Sequence, residues 1–191
     1  MEPSDEALCR RTAAGDAAAF ERLVERYQRR AWRLAWSVLG DTEDARDVTQ
    51  EAFVRVYRAA ASFAGRARFS TWFYRLLLNL CLEHRRRGRW WRRRVVVAGD
   101  GEPDGLEHHA PPLPDPTERL AHEQTMARLT AAAARLSPQQ RAALALTLDG
   151  LPTVEIAAAL GCSPATVRVH VHRAVSALRA EVGAAAPEAP R

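Results

Sequence analysis

The chain has 191 residues, 47% of them hydrophobic, and a formal net charge of +5. That length allows one or two small domains with real cores, and no run of about 18 apolar residues is present to form a membrane span. The opening MEPSDEALCRR has acids and no apolar stretch, so no signal peptide is expected; Cys9, Cys81 and Cys162, far apart and without a CxxC, fit reduced thiols in a cytoplasm.

Residues 19–39 place Phe20, Leu23, Val24, Tyr27, Ala31, Leu34, Ala35 and Val38 at helical spacing, and Gly40 ends that helix. Asp41 or Thr42 caps the next, with Glu43 and Asp44 in its first turn, where the helix dipole favours acids. Its apolar side is Val48, Ala52, Phe53, Val56 and Tyr57. After a break near Gly65, Ser70 or Thr71 is expected to cap a third helix running to about Arg87, with Phe69, Phe73, Leu76 and Leu80 toward the core. From Gly88 to Pro116 the periodicity dissolves. The stretch GDGEPDGLEHHAPPLPDP has linker composition, so two helical domains are expected on either side. A helix over 117–136 follows, then Ser137-Pro138, an N-cap with proline at the first helical position, opening another to about Leu148. The closing GAAAPEAPR is expected to be a disordered tail.

Residues 150–182 spell two short helices joined by a tight turn. The first spans about 153–160, Gly161 supplies the left-handed residue that ends it, and Ser163 caps the second with Pro164 in its first turn. Ala157 lets the helices approach and Val167 locks the second. That second helix carries Val167, Val171, Ala174, Val175, Leu178 and Val182 on one face, and Ala165, Arg168, Val169 and His172 on another. A helix with one apolar and one basic stripe suits packing on a core while lying in a DNA groove. Arg168 can fork onto a guanine or a phosphate, Val169 or Ala165 can touch a thymine methyl, and Arg173 at the edge suits a phosphate. The bland alternative is a solvated face on a helical bundle.

The first half presents two further faces. Asp44, Asp47 and Glu51 recur at spacings of three and four with Gln50 beside them, an acidic helix face that is either a docking surface or an ordinary solvated one. Trp72, Arg75, Asn79, Glu83 and Arg86 share a stripe distinct from the core stripe. A ring to stack, an amide to read an edge and guanidinium to hold phosphate suit single-stranded bases; the competing reading makes Trp72 and Tyr74 core or interface residues. Charge is unevenly placed. All 28 basic residues are arginine; residues 84–94 hold seven of them and no acid, and residues 95–118 hold six acids and no arginine.

Taken together, D-x-E-D-x-x-D-x-x-Q-E-x-F at 41–53, F-x-T-W-x-x-R-x-x-x-N at 69–79, the arginine run, the acidic linker and G-L-P-x-x-E-I-A-x-x-L-G-C-S-x-x-T-V-R at 150–168 resemble the bacterial sigma-70 family, in its extracytoplasmic-function (ECF) group. The resemblance implies an all-α chain of two small helical domains: region 2 over 10–87, a linker over 88–117, region 4 over 118–183 and a tail over 184–191. It implies that Asp44, Asp47, Gln50 and Glu51 dock on the β′ subunit of RNA polymerase core. Phe69, Ser70, Thr71, Trp72 and Arg75 fall in its promoter-melting segment, and Asn79, Glu83 and Arg86 where it reads the −10 element. Ala165, Thr166, Arg168, Val169, His172 and Arg173 fall where it reads the −35 element. Core polymerase (β′ and β), promoter DNA and an anti-sigma factor are the implied partners, in the cytoplasm and without membrane insertion. Three departures stand out. Glu83 replaces a commoner aspartate, Pro152 sits where a serine cap is frequent, and Val169-His170 replace a usual Ser-Arg pair. The −35 preference of this chain is therefore its own. The Trp90-Trp91 pair is no part of the pattern.

No nucleophile set, phosphate loop or metal set is evident, so no catalysis, cofactor or metal site is expected. Cys81 and His84 stand three apart without a further ligand, and His108-His109 lie in the linker without partners. The rival reading is a helix-turn-helix activator of the response-regulator or quorum-sensing type, whose module shares L-S-P-x-x-R and the T-V-x-x-H ending at His170. A receiver domain needs a lysine and a βα alternation, and neither is present. An RNA-binding or scaffolding helical protein is a third class.

Overall fold

Every element in the computed structural model is a helix, and no strand occurs among the described residues, which are 2–92 apart from 64 and 66, and 116–183. Residues 93–115, the greater part of the expected linker at 88–117, and the tail at 184–191 lie outside them.

The first helix, α1 (Asp5–Ala13), is not anticipated by the periodicity argument. Ser4 caps it by accepting the Ala7 amide at 3.2 Å, and Asp5 and Glu6 sit in the first turn, at the positive end of the dipole. It buries Leu8, Cys9 and Thr12. Asp5 anchors it by accepting Arg26 at 2.6 Å and the Tyr27 hydroxyl at 2.5 Å. Both donors belong to α2 (Ala17–Leu39). The N-terminal unit therefore begins ahead of residue 10. Within α2, Asp16 is the cap, its carboxyl held below the usual range chiefly by the Ala19 amide. Gly40, at φ 77°, closes the helix. Leu23, Tyr27, Ala31, Leu34, Ala35 and Val38 are buried, as their spacing predicts.

Helix α3 (Thr42–Ala59) is capped by Asp41, which accepts the Asp44 amide at 2.9 Å. Val48, Ala52, Phe53 and Val56 turn inward, whereas Tyr57 stays half exposed. Helix α4 (Phe69–Arg92) departs from expectation at both ends. Neither Ser70 nor Thr71 is its cap. The helix begins at Phe69, ahead of both, and the Phe69 amide is met at 3.0 Å by Glu6 of α1. At its far end the helix continues through Gly88 to Arg92. Phe69, Phe73 and Leu80 are buried as predicted, Leu76 only partly, and Tyr74, Leu77, Leu78 and Cys81 join them.

The second unit comprises α5 (Pro116–Arg135), α6 (Pro138–Leu148), α7 (Thr153–Leu160) and α8 (Pro164–Gly183). Ser137 and Gln140 form a reciprocal capping box at the start of α6. Pro152 precedes α7 without a side-chain cap, as expected. Helices α5, α6 and α7 all pack on α8.

The two units are not held apart. Helix α6 packs on α2 and α7 on α4, and one buried cluster runs from Leu8 through Val38 and Leu78 to Ala142, Leu146, Ala159 and Val167. Small residues on α6 and α7 make this close approach possible. Polar contacts flank the seam: Arg33 to Asp149 at 2.6 Å, Arg68 to Glu155 at 2.8 Å, and Arg141 to the Val38 carbonyl at 3.1 Å.

Candidate nucleic-acid interface

The turn between α7 and α8 is built as the sequence predicts. Gly161 takes φ 66°, a conformation glycine adopts at no steric cost. Ser163 accepts the Thr166 amide at 3.1 Å, and its hydroxyl shares a 2.8 Å hydrogen bond with that of Thr166. Val167 and Ala174 are fully enclosed, which fixes the rotation of α8. That rotation leaves Ala165, Arg168, Val169, His172 and Arg173 exposed on one side, with Thr166 at its edge. Val169 keeps 46% of its surface in solvent, an apolar side chain between basic ones. Such a face suits a groove with thymine methyls as well as phosphates.

On α3 the same division holds. Val48, Ala52 and Phe53 anchor the helix while Asp47, Gln50 and Glu51 point outward and Asp44 is partly open. Two of these acids have partners that sequence reasoning missed. Asp44 meets His84 Nε2 at 2.8 Å, and Glu51 accepts Arg55 at 2.8 Å. Arg55 also reaches Glu83 at 3.8 Å, and Arg87 reaches the other Glu83 oxygen at 3.8 Å. A charged ladder thus links the acidic face of α3 to the polar stripe of α4. The i,i+4 spacing of Glu51 and Arg55 was a visible signal for its first rung.

The stripe on α4 divides in two. Arg75, Asn79 and Arg86 are exposed and Glu83 is partly so. Phe69 and Thr71 are buried, so both act on any strand only through the placement of α4. Trp72 is partly enclosed, its ring 5.2 Å from Phe63 and 5.8 Å from Phe69. Tyr74 is wholly inside, and burial pushes its hydroxyl up to about 12. Asn79 lines a small cavity of about 40 Å³ with Val38, Leu78, Leu82, Pro138 and Ala142, so region 4 faces the predicted −10 reader across it. Ser70 donates to Glu155 of α7 at 3.2 Å. Cys81 is buried, its thiol pushed up to about 12 by desolvation, and no cluster of metal-ligating side chains occurs among the described residues.

The chain matches known family patterns in two segments, one in each unit. The family Sigma-70 region 2 matches residues 23–92, and Sigma-70, region 4 matches residues 126–178. The RNA polymerase sigma-H factor of Pseudomonas aeruginosa is 32% identical over 179 residues, covering 93% of each chain. The chain belongs to the sigma-70 family, in its ECF group. The ECF RNA polymerase sigma factor SigE of Mycolicibacterium smegmatis is 36% identical over 187 residues, 94% of this chain and 69% of that one. The sigma factor's fold also resembles that of CnrH, solved in complex with the cytosolic domain of CnrY. The TM-score is 0.66 at 24% identity, over 95% of this chain and 99% of that chain. The sigma factor RpoE of Bartonella quintana, solved with the anti-sigma factor NepR, gives 0.67 at 20% identity, over 86% and 96%. The matches cover α3 and α4 as well as the helix-turn-helix, which places this sigma factor apart from response-regulator and quorum-sensing activators.

Proposed function

We propose that this chain is an alternative sigma factor, a specificity subunit that binds core RNA polymerase, reads −35 and −10 elements and opens the −10 region for a particular regulon. The observation that carries the reading is the presence, in one chain, of an outward acidic face on α3 and an outward basic-and-apolar face on α8, each rigidly set by a buried stripe behind it. Asp44, Asp47, Gln50 and Glu51 dock on polymerase. Ser70, Trp72, Arg75, Asn79, Glu83 and Arg86 engage the melted strand, with Phe69 and Thr71 holding the helix in place. Ala165, Thr166, Arg168, Val169, His172 and Arg173 read the major groove. Region 2 extends over 10–87 together with α1, and region 4 over 118–183, joined through the linker at 88–117.

Mechanistically the chain is a binder, not an enzyme. Melting costs about 1.4 kcal/mol of stacking per base-pair step. Stacked or edge-read bases return about 1–3 kcal/mol each. A few correct contacts must therefore offset the whole cost, and one mismatch in the −10 element is poorly tolerated. The relatives' names support polymerase as the partner, and the two solved structures, both complexes with a second protein, support an anti-sigma factor. No helix among the described residues is long and apolar enough to cross a membrane; a cytoplasmic site of action follows from the polymerase the chain is proposed to serve.

Co-elution tests the first step. The purified chain should co-elute with core polymerase free of other sigma factors, and a triple Asp44→Ala, Asp47→Ala, Glu51→Ala variant should not. A chain that binds DNA but never core polymerase would instead be an activator.

A further inference from the structure

Asp44 and Glu51, two acids of the proposed docking face, each rest on a basic partner, and the two partners differ in kind. Glu51 accepts Arg55 at 2.8 Å, and a guanidinium stays cationic throughout. Asp44 Oδ1 stands 2.8 Å from His84 Nε2, on α4. Imidazole is the one side chain that ordinarily changes its charge between about pH 5 and 8. The pair is firmly placed. Leu80 and Cys81, one turn before His84, are buried, as are Ala45 and Val48 on α3, so the pair sits on the rim of the α3–α4 contact. The Asp44 amide is itself tied to the Asp41 carboxylate at 2.9 Å. The two side chains still keep 36% and 37% of their surface in solvent, enough to exchange a proton with water and to meet a partner.

At 2.8 Å two lone pairs would repel, so Nε2 carries a proton in either charge state, and Nδ1 is the nitrogen that titrates. With Nδ1 bare, the ring is neutral and orients Asp44 without cancelling its charge. With Nδ1 protonated, imidazolium and carboxylate make a pair of zero net charge. A face that presents Asp44, Asp47 and Glu51 suits a basic partner surface. For such a partner the two states are unequal: the first offers a positioned anion, the second a neutralised one with a cation behind it.

We propose that His84 is a positioning residue for polymerase docking and that its charge state sets the strength of the dock. Neutral His84 presents Asp44; protonated His84 withholds it. The inference rests on the sigma-factor reading, which makes Asp44 a docking residue. The neighbouring charges give His84 sole control of the switch. Within one turn of Asp44 on α3 are Asp41, Glu43, Arg46 and Asp47. On α4, Glu83 lies 3.8 Å from both Arg55 and Arg87, and Arg85 donates to the Val38 carbonyl at the end of α2. Arg141 of α6 donates to the same carbonyl. Glu6 of α1 and Glu155 of α7 sit at the start of α4, roughly 20 Å away along the helix. All are carboxylates or guanidiniums, classes that do not ordinarily titrate between about pH 5 and 8.

The test titrates the full chain, labelled at its N-terminus with a rhodamine insensitive to pH, with core polymerase free of other sigma factors. Anisotropy is read at constant ionic strength from about pH 5.5 to 8. Wild type should weaken toward the acid end by about fivefold beyond any slope shared with His84→Gln, the effect of one exposed ion pair. His84→Gln keeps a neutral donor near the place of Nε2, so at the alkaline end it should match wild type. His84→Ala, with no donor, should bind there about threefold more weakly. His84→Arg, permanently cationic, should bind at the alkaline end as weakly as wild type does in acid. In an Asp44→Asn background these differences should vanish. Equal acid weakening in wild type and His84→Gln, or His84→Arg as tight as His84→Gln, would overturn the proposal. If His84→Gln does not fold, Asp44→Asn alone decides: a pH profile as steep as that of wild type would refute the switch. Absence of core binding by wild type at every pH would overturn the sigma-factor reading and the proposal with it, whereas binding without a His84-dependent slope would overturn the proposal alone.

Discussion

Phe69 lies in the stretch that resembles a promoter-melting segment, yet it is fully enclosed among Tyr27, Phe63, Trp72 and Phe73, with ring centroids 5.2 to 6.0 Å away. Phe69→Ala is therefore a stability mutation before it is a DNA-binding one. Removing a buried phenyl costs about 3–5 kcal/mol through lost transfer energy and the cavity left behind. For a chain of this size each kcal/mol moves the melting temperature by about 2–4 °C, so a fall of roughly 6–20 °C is expected. Trp72→Ala, on a ring only partly enclosed, should cost roughly 1–2 kcal/mol and move it far less. Thermal melts followed by circular dichroism, beside single-stranded DNA binding at a temperature where both variants are folded, separate the two roles. Phe69→Ala melting within about 2 °C of wild type while losing strand binding would refute the burial argument, because the ring would then be acting on DNA.

Other consequences follow from single contacts. Glu6 is held below the ordinary carboxyl range chiefly by the Phe69 amide, so its stabilising contribution is present above the unfolded value near 4.5 and is lost as pH falls through the lower folded value. Glu6→Ala should therefore lower stability by about 0.5–1 kcal/mol at pH 7 and flatten its decline in acid, as urea melts at several pH values would show. Gly161→Ala meets no atom within 4 Å, so its whole cost is the left-handed backbone at φ 66°, about 1–2 kcal/mol by chemical denaturation. Arg168→Ala should lose about 1–3 kcal/mol of discrimination at one −35 position; a base-substitution scan identical to wild type would count against its assigned role. Asn79→Ala should abolish open-complex formation and spare core binding, and normal permanganate reactivity of the −10 region would exclude that assignment.

Local signals located most of the helices. Gly40, Asp41, the Ser137-Pro138 pair, Gly161 and Ser163 each act within four residues of themselves, and each sits where its chemistry predicts. The exposed face of α8 was likewise readable, because Val167 and Ala174 fix its rotation. What escaped depends on distance along the chain. Helix α1 is too short for periodicity to reveal, although Ser4-Asp5-Glu6 was an available cap signal; its anchor, Asp5 on Arg26 and Tyr27, spans more than 20 residues. Ser70 and Thr71 looked like caps for α4, but the amide there is met by Glu6 from 63 residues away. The seam between the units escaped for a similar reason. Ala142, Ala159 and Leu160 read as ordinary helix residues until a partner helix covers them, and Glu155 reads as part of a helix-turn-helix motif until Arg68 stands beside it.

Run-off transcription tests the central claim most directly. Purified core polymerase, this chain and genomic DNA are combined with no other sigma factor, and transcript 5′ ends are mapped. The account predicts a small set of discrete starts sharing one −35 and one −10 sequence, lost with Asn79→Ala. Starts only when another sigma factor is added, or none above core polymerase alone, would contradict it.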